Sequence, residues 1–151
     1  MKILEKLTAS AANKGVLEAL DRSLAIIEFD PQGNVLGANE NFCRLLGYEP
    51  AEIIGRHHRT FVEPDYAASA EYAQFWAKLG RGEFDAREYR RIGKGGKEVW
   101  IQASYNPVLN SRGQVRKVVK VAADSPPRSM PSRAAVFIKN RFRAHLGFAP
   151  N

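Results

Sequence analysis

Three short turn sequences constrain this chain more than any other feature. Asp30-Pro31-Gln32-Gly33, Gly93-Lys94-Gly95-Gly96 and Ser111-Arg112-Gly113 each join two runs of β-forming residues. Proline presets φ and glycine supplies a positive φ, so the chain reverses at such points. Strands joined by so few residues pair antiparallel. The first hairpin is LAIIEF and NVLGA, within residues 24–38. The second joins strands at about 83–92 and 97–107, and the third turn feeds a last strand, QVRKVVKVAAD.

Helical periodicity fills the remainder. Ile3, Leu4, Leu7 and Ala11, then Val16, Leu17 and Leu20, fall at helical spacing, with a break expected at Gly15. Asn39 is placed to cap a helix through ENFCRLLG, which Gly47 stops. Glu49-Pro50 starts a short helical turn through Ile54, closed by Gly55. One longer helix is expected over 64–79, with Pro64 in its first turn and Ala68, Tyr72, Phe75, Trp76 and Leu79 as its buried stripe. Strands at both ends and helices between them give an α+β pattern, an antiparallel sheet with helices segregated to one side.

The chain's 151 residues suffice for one domain with appendages. No apolar run approaches the roughly 20 residues that span a bilayer, and the N-terminus has no apolar leader segment. The single cysteine, Cys43, excludes an internal disulfide or a cysteine-based zinc cluster within one chain. Together these point to the cytoplasm. The net charge of +7 is uneven: +5 of it lies in residues 125–151, which contain no acid. Residues 1–124 are nearly balanced, which speaks against a nucleic-acid partner for the folded part. The expected division is a helical cap over 1–22, a domain over 23–124, a proline-rich linker over 125–131 and a basic amphipathic segment over 132–151.

The order and spacing of IIEFDPQGNVLGANENFCRLLGYEPAEIIGRHH, the GEF stretch and RRIGKGGKEVWIQASYNPVLNSRGQVRKVVKVAAD resemble a PAS domain over about residues 16–124. The HH…PDYA…FW stretch is similar to the chemoreceptor-like and aerotaxis-like bacterial branch. The resemblance implies a PAS fold, with a five-stranded antiparallel sheet flanked by helices. It implies sensing of small molecules, redox state or light, or service as a dimerisation and docking module. Such domains usually precede a signalling output. Here 27 residues follow the domain, so a free-standing PAS protein is expected.

His57, His58, Phe61, Tyr72, Trp76, Ile101 and Tyr105 are the candidates for lining a ligand cavity. The His57-His58 pair reads either as a haem or cofactor contact or as one buried and one wet structural ring. Trp76 with its aromatic neighbours reads either as a flavin wall or as a helix core stripe. Relatives that bind flavin carry an Arg-His pair before the Pro-Asp, where this chain has Val62-Glu63, and an acid there repels a phosphate. No cofactor is therefore expected, with flavin or haem as the alternative. Cys43 reads as a buried small hydrophobe rather than a photosensor thiol. Leu4, Leu7, Leu17, Trp100 and Gln102 are candidates for dimer or partner contact. Trp100 lies either under the N-terminal helix or at an interface.

Arg90, Arg91, Lys94 and Lys97 read as a solvated basic hairpin, and Asp30, Asp65 and Asp85 as turn or cap residues. In the C-terminal segment, Ile138 and Phe142 centre an apolar arc beside Lys139, Arg141 and Arg143. That segment suits docking on a partner, packing on its own domain, or peripheral contact with a membrane. No enzyme motif is present: there is no G-x-S-x-G, P-loop or H-E-x-x-H. The expected function is a non-catalytic signalling regulator that pairs as a homodimer. It would act on a histidine kinase or another signalling or polarity protein, in a two-component system or a membrane-associated complex. The alternative is a small-molecule or redox sensor.

Overall fold

The computed structural model describes residues 11–125. Leu4 and Leu7, and Ile138, Lys139, Arg141, Phe142 and Arg143, lie outside the described residues. Helix α1 (Ala11–Ser23) leads into β1 (Ala25–Phe29) and β2 (Val35–Ala38). Helices α2 (Glu40–Leu46) and α3 (Pro50–Ile53), a 3₁₀ turn (His58–Phe61), α4 (Pro64–Ala67) and α5 (Ala70–Gly80) follow. Strands β3 (Asp85–Ile92), β4 (Glu98–Leu109) and β5 (Val115–Asp124) complete the fold. The five strands form one antiparallel sheet in the order β2-β1-β5-β4-β3. The last strand therefore inserts between the first and fourth, and the helices cover one face.

Period-two alternation assigns that inner face. Ala25, Ile27 and Phe29 of β1 are buried, as are Val99, Ile101, Ala103 and Tyr105 of β4 and Val118 and Ala122 of β5. The helices answer with Phe42, Leu46, Ile53, Phe61, Tyr72, Phe75 and Leu79. The alternation that buries these residues carries charge inward too. Register places Ile27, Lys120, Tyr105 and Asp85 in one row across four strands.

The first turn is built on Asp30. Its Oδ1 accepts from the backbone N–H of Gln32 (3.0 Å) and Asn34 (2.9 Å). Gly33 takes φ +93°, which an L side chain rarely adopts. Its carbonyl accepts from His58 N (2.8 Å), and Val35 N donates to Arg56 O (2.8 Å). These bonds stitch the 3₁₀ turn to the hairpin and aim His58 into the core.

Two helical expectations need correction. Gly15 does not break α1, because one glycine costs a helix only about 1 kcal/mol. The helix expected over 64–79 is two helices: the Ser69 hydroxyl accepts from Tyr72 N (3.1 Å) and starts α5. Ala68 therefore lies exposed in the break rather than in the buried stripe.

Asn39 caps α2 as its position predicts, accepting from Phe42 N (2.9 Å). The same oxygen accepts from Ile26 N of β1 (2.9 Å), and the Asn39 amide donates to the carbonyls of Asp21 (3.1 Å) and Leu24 (2.8 Å). One side chain thus joins α1, β1 and α2. Asn39→Ala is expected to destabilise the fold by about 2 kcal/mol, a cap of ~1 plus the lost bridging bonds. Asn39→Ser, which keeps only the cap, should recover roughly half of that loss in urea unfolding.

Candidate functional site

The inner face holds a connected polar group inside the aromatic core. His58 is fully buried, with Nδ1 2.8 Å from the Tyr72 hydroxyl and Nε2 3.0 Å from the Tyr105 hydroxyl. The Tyr105 oxygen also accepts from Arg91 Nε (3.3 Å) and Nη2 (3.0 Å). A guanidinium only donates, so those two bonds occupy both lone pairs of that oxygen. The single Tyr105 proton then goes to His58 Nε2, which must accept. His58 is accordingly neutral, with its own proton on Nδ1 donated to Tyr72.

The electrostatics agree. Burial, then the charges of Arg91 and Lys120, hold the His58 imidazole well below its usual range. Burial likewise raises Tyr105, and pushes Tyr72 up to about 12. Phe29, Phe61, Phe75 and Trp76 surround the imidazole with centroids 5.3–6.2 Å away. The indole Nε1 of Trp76 is buried beside this group.

Sequence reasoning missed three members of this face. Arg91, read as part of a solvated hairpin, is only 3% exposed, because alternation from Tyr89 turns it inward. Its Cζ lies 4.6 Å from the Tyr89 ring centroid. Lys120 is 1% exposed, its Nζ 4.9 Å from the Tyr105 ring centroid and 5.6 Å from that of Phe42. Burial, then Arg91, pulls its ammonium well below the usual range. Asp85 is a buried strand residue, not a cap: it accepts from Lys78 (2.9 Å), Arg87 (2.7 Å) and the Tyr89 hydroxyl. Burial alone would raise that carboxyl, but the donors outweigh it and lower it to about 2. The signal for all three was the side they share with Tyr89, Val118 and Ala122. Arg90, Lys94 and Lys97 are exposed as expected.

The structure brings His58, Phe61, Tyr72, Trp76 and Tyr105 together, with Ile101 in the same core. His57 stands at the rim, where its Nε2 donates to Gln32 O (2.8 Å) and its Nδ1 accepts from Arg59 N (3.1 Å). Val62 is buried, and Glu63 is exposed and paired with Arg90. Cys43 is buried on α2. On the outer face Gln102 is exposed, and Trp100 is half-buried with its indole donating to Glu98 (2.6 Å). Leu17 is 65% exposed on α1.

These residues as they stand do not fit a haem, since both nitrogens of His58 are engaged by tyrosines. The rings nearest His58 leave no slab-width gap between them. A ring slab needs its neighbours about 7 Å apart, twice a contact distance. Here Phe75 and Tyr105 meet edge to face at 4.9 Å, and His58 and Trp76 at 5.4 Å. Among the described residues no group of three metal-ligating side chains converges.

The PAS fold family matches residues 35–122. The biofilm dispersion protein BdlA of Pseudomonas aeruginosa is 45% identical over 129 residues, which are 85% of this chain and 30% of that protein. The aerotaxis receptor of Escherichia coli is 29% identical over 80 residues, 53% of this chain and 16% of the receptor. The chain thus spans less than a third of the length of either relative. The structure of an RNA-binding light-oxygen-voltage receptor superposes with a TM-score of 0.68 at 24% identity, covering 93% of this chain and 40% of that one.

The neutral state of His58 sets a pH dependence. In the unfolded chain the imidazole takes up a proton near pH 6.5, while in the folded chain it does so only at lower pH. The unfolded state then binds more protons, so stability falls as pH drops below about 6.5. The expected contribution is a slope of up to ~1.4 kcal/mol per pH unit, absent from His58→Gln. Urea unfolding of both proteins at several values between about pH 5 and 7 measures the difference in slope.

Proposed function

This chain belongs to the PAS family, and from that premise we propose that it is a non-catalytic signalling regulator acting through protein–protein contact. The observation that carries this reading is the apolar side of α1. Val16, Leu17 and Leu20 are exposed there, while the helix is held to the domain near its C-terminal end by the Asn39 and Asn41 amides. An amphipathic helix without cover on its apolar side is incomplete until it meets a partner. We assign that partner as a second copy in the resting state and a signalling protein, such as a histidine kinase, in the active one. Differential binding to one kinase state would shift its balance of states. By name BdlA is a biofilm dispersion protein and the Escherichia coli relative an aerotaxis receptor, which supports signalling as the setting. No described helix is long and apolar enough to cross a membrane.

A sensory reading rests on a separate observation, the buried cations Arg91 and Lys120 beside Tyr105. Small-molecule occupancy of the inner face would supply the input, and α1 the output. Redox sensing through flavin or haem is the weaker form of this reading, given the closed ring packing.

Two measurements test these readings. Leu17→Glu with Leu20→Glu in the full chain should shift sedimentation from dimer to monomer at tens of micromolar, and lower the thermal midpoint only by what the pairing contributes, because both side chains are exposed in the single chain. A parent protein that sediments as a monomer refutes the pairing. Freshly purified protein should show neither a flavin band in the blue nor a Soret band, before or after incubation with FAD or haem. Stoichiometric retention of either chromophore through gel filtration overturns that expectation.

A further inference from the structure

His58 sits in a cage with no place for a second proton. The polar groups that face its imidazole are Tyr72 from α5, Tyr105 from β4, Arg91 from β3, Lys120 from β5 and His57 from its own turn. Phe29, Phe61, Phe75 and Trp76 close the other sides with rings. The one buried carboxylate among the described residues, Asp85, is committed to Lys78, Arg87 and Tyr89.

A proton taken up at Nε2 turns that nitrogen from an acceptor into a donor. It then points at the Tyr105 oxygen, whose lone pairs already hold Nε and Nη2 of Arg91. The Tyr105 proton loses its acceptor in the same step. The imidazolium also shares that oxygen with a guanidinium, which cannot give up its charge. A buried cation with neither acceptor nor counter-charge is relieved by water, so the protonated ring favours any conformation that admits water.

The fold offers one. Residues 63–83 carry α4 and α5 and form one wall of the cage. Among the described residues, their backbone hydrogen bonds outside the helices all close within that segment, from Ala67 N to Glu63 O through to Glu83 N to Lys78 O. The segment's polar ties to the sheet and the 3₁₀ turn are side chains: Tyr72 to His58, Lys78 to Asp85 and Glu63 to Arg90, with Phe75 and Leu79 packed beneath. Lys78, Glu63 and Arg90 all reach solvent, where an ion pair holds weakly. The pairings β3–β4, β4–β5 and β1–β5 run without the segment.

We propose that residues 63–83 are an acid-operated lid: a proton on His58 drives α5 off the inner face and lets water reach the imidazolium, while the sheet stays paired. Neither reading above requires this device, whose input is a proton rather than a small molecule. In the closed state the ring takes up its proton only below its usual range, and in the open state near pH 6.5. The open state therefore binds more protons, and acid favours it by up to about tenfold per pH unit below 6.5. Lys120 is charged by acid in the same sense, so its contribution has to be separated. An 11-residue helix is marginal on its own, so α5 melts once it leaves the sheet.

Hydrogen exchange of the full chain, read as protection factors at about pH 7.5 and 5, tests the lid. Residues 63–83 should lose protection about tenfold or more, while β4 and β5 change by less than about twofold. His58→Gln keeps a donor and an acceptor but takes up no proton, so its lid should stay protected at both values. Lys120→Met keeps the stem volume and should retain the acid response of the parent chain. In the parent chain, the carbon resonances of the His58 imidazole should titrate at the midpoint of lid opening, which serves if either variant does not fold. Lid protection unchanged with pH overturns the proposal. So does protection lost from lid and sheet together, which is acid unfolding of the whole domain. An acid response that persists in His58→Gln, vanishes in Lys120→Met, or has a midpoint apart from that of the His58 resonances overturns it as well.

Discussion

The Tyr105 hydroxyl is the atom on which the inner face depends. It accepts both N–H groups of the Arg91 fork and gives its own proton to His58. That single assignment fixes the imidazole as neutral, directs its other nitrogen to Tyr72, and ties β4 to the 3₁₀ turn and to α5. Without the phenol, Arg91 would keep only the Arg90 carbonyl as acceptor, and His58 would keep an unsatisfied nitrogen in a site closed to water. Buried networks of this kind gain from the low local dielectric only while every member is satisfied.

The acid and the two bases on this face are accommodated differently. Asp85 gathers three donors, two of them on side chains that reach solvent, and the result is a carboxylate held below its usual range. Arg91 and Lys120 are met by ring faces and a phenol instead. Ring faces attract cations, by roughly 2 kcal/mol when desolvated, which offsets only part of the lost hydration. Apolar residues in these two places would make a more stable domain, so stability alone does not account for them.

The strand architecture was legible in the sequence because its signals are local. Asp30-Pro31-Gln32-Gly33 fixes a reversal by backbone geometry alone, and Asn39 and Gly47 bracket α2 by capping chemistry that needs no tertiary context. The aromatic part of the site was legible for a similar reason, since Phe61, Tyr72 and Trp76 sit on recognisable helical turns. Arg91 and Lys120 were not, because residue type and strand period give opposite answers there. A basic residue reads as solvated, whereas the alternation Val118, Lys120, Ala122 places it inward. Period decides in a sheet with one covered face, since moving one residue outward would move the whole strand. The break before α5 was missed because no glycine or proline marks it. Ser69 ends one helix and starts another through one hydroxyl, which donates to Tyr66 O and accepts from Tyr72 N.

The inner face and α1 meet at β1. Ile27 is the strand neighbour of Lys120, and the next residue back, Ile26, donates its N–H to Asn39. The same Asn39 holds the end of α1 through carbonyls of Asp21 and Leu24. The sheet is fixed by strand pairing on both sides of β1, but α1 depends on a handful of amide bonds, most of them exposed to water. Such an element sits at the low-stability end of the molecule, where opening costs little. A displacement of about 1.4 kcal/mol changes a two-state balance tenfold, and that is no more than one or two of those bonds contribute. The helix offering the exposed leucines is therefore also the element whose position is easiest to change, and its anchor stands one strand from the buried charge.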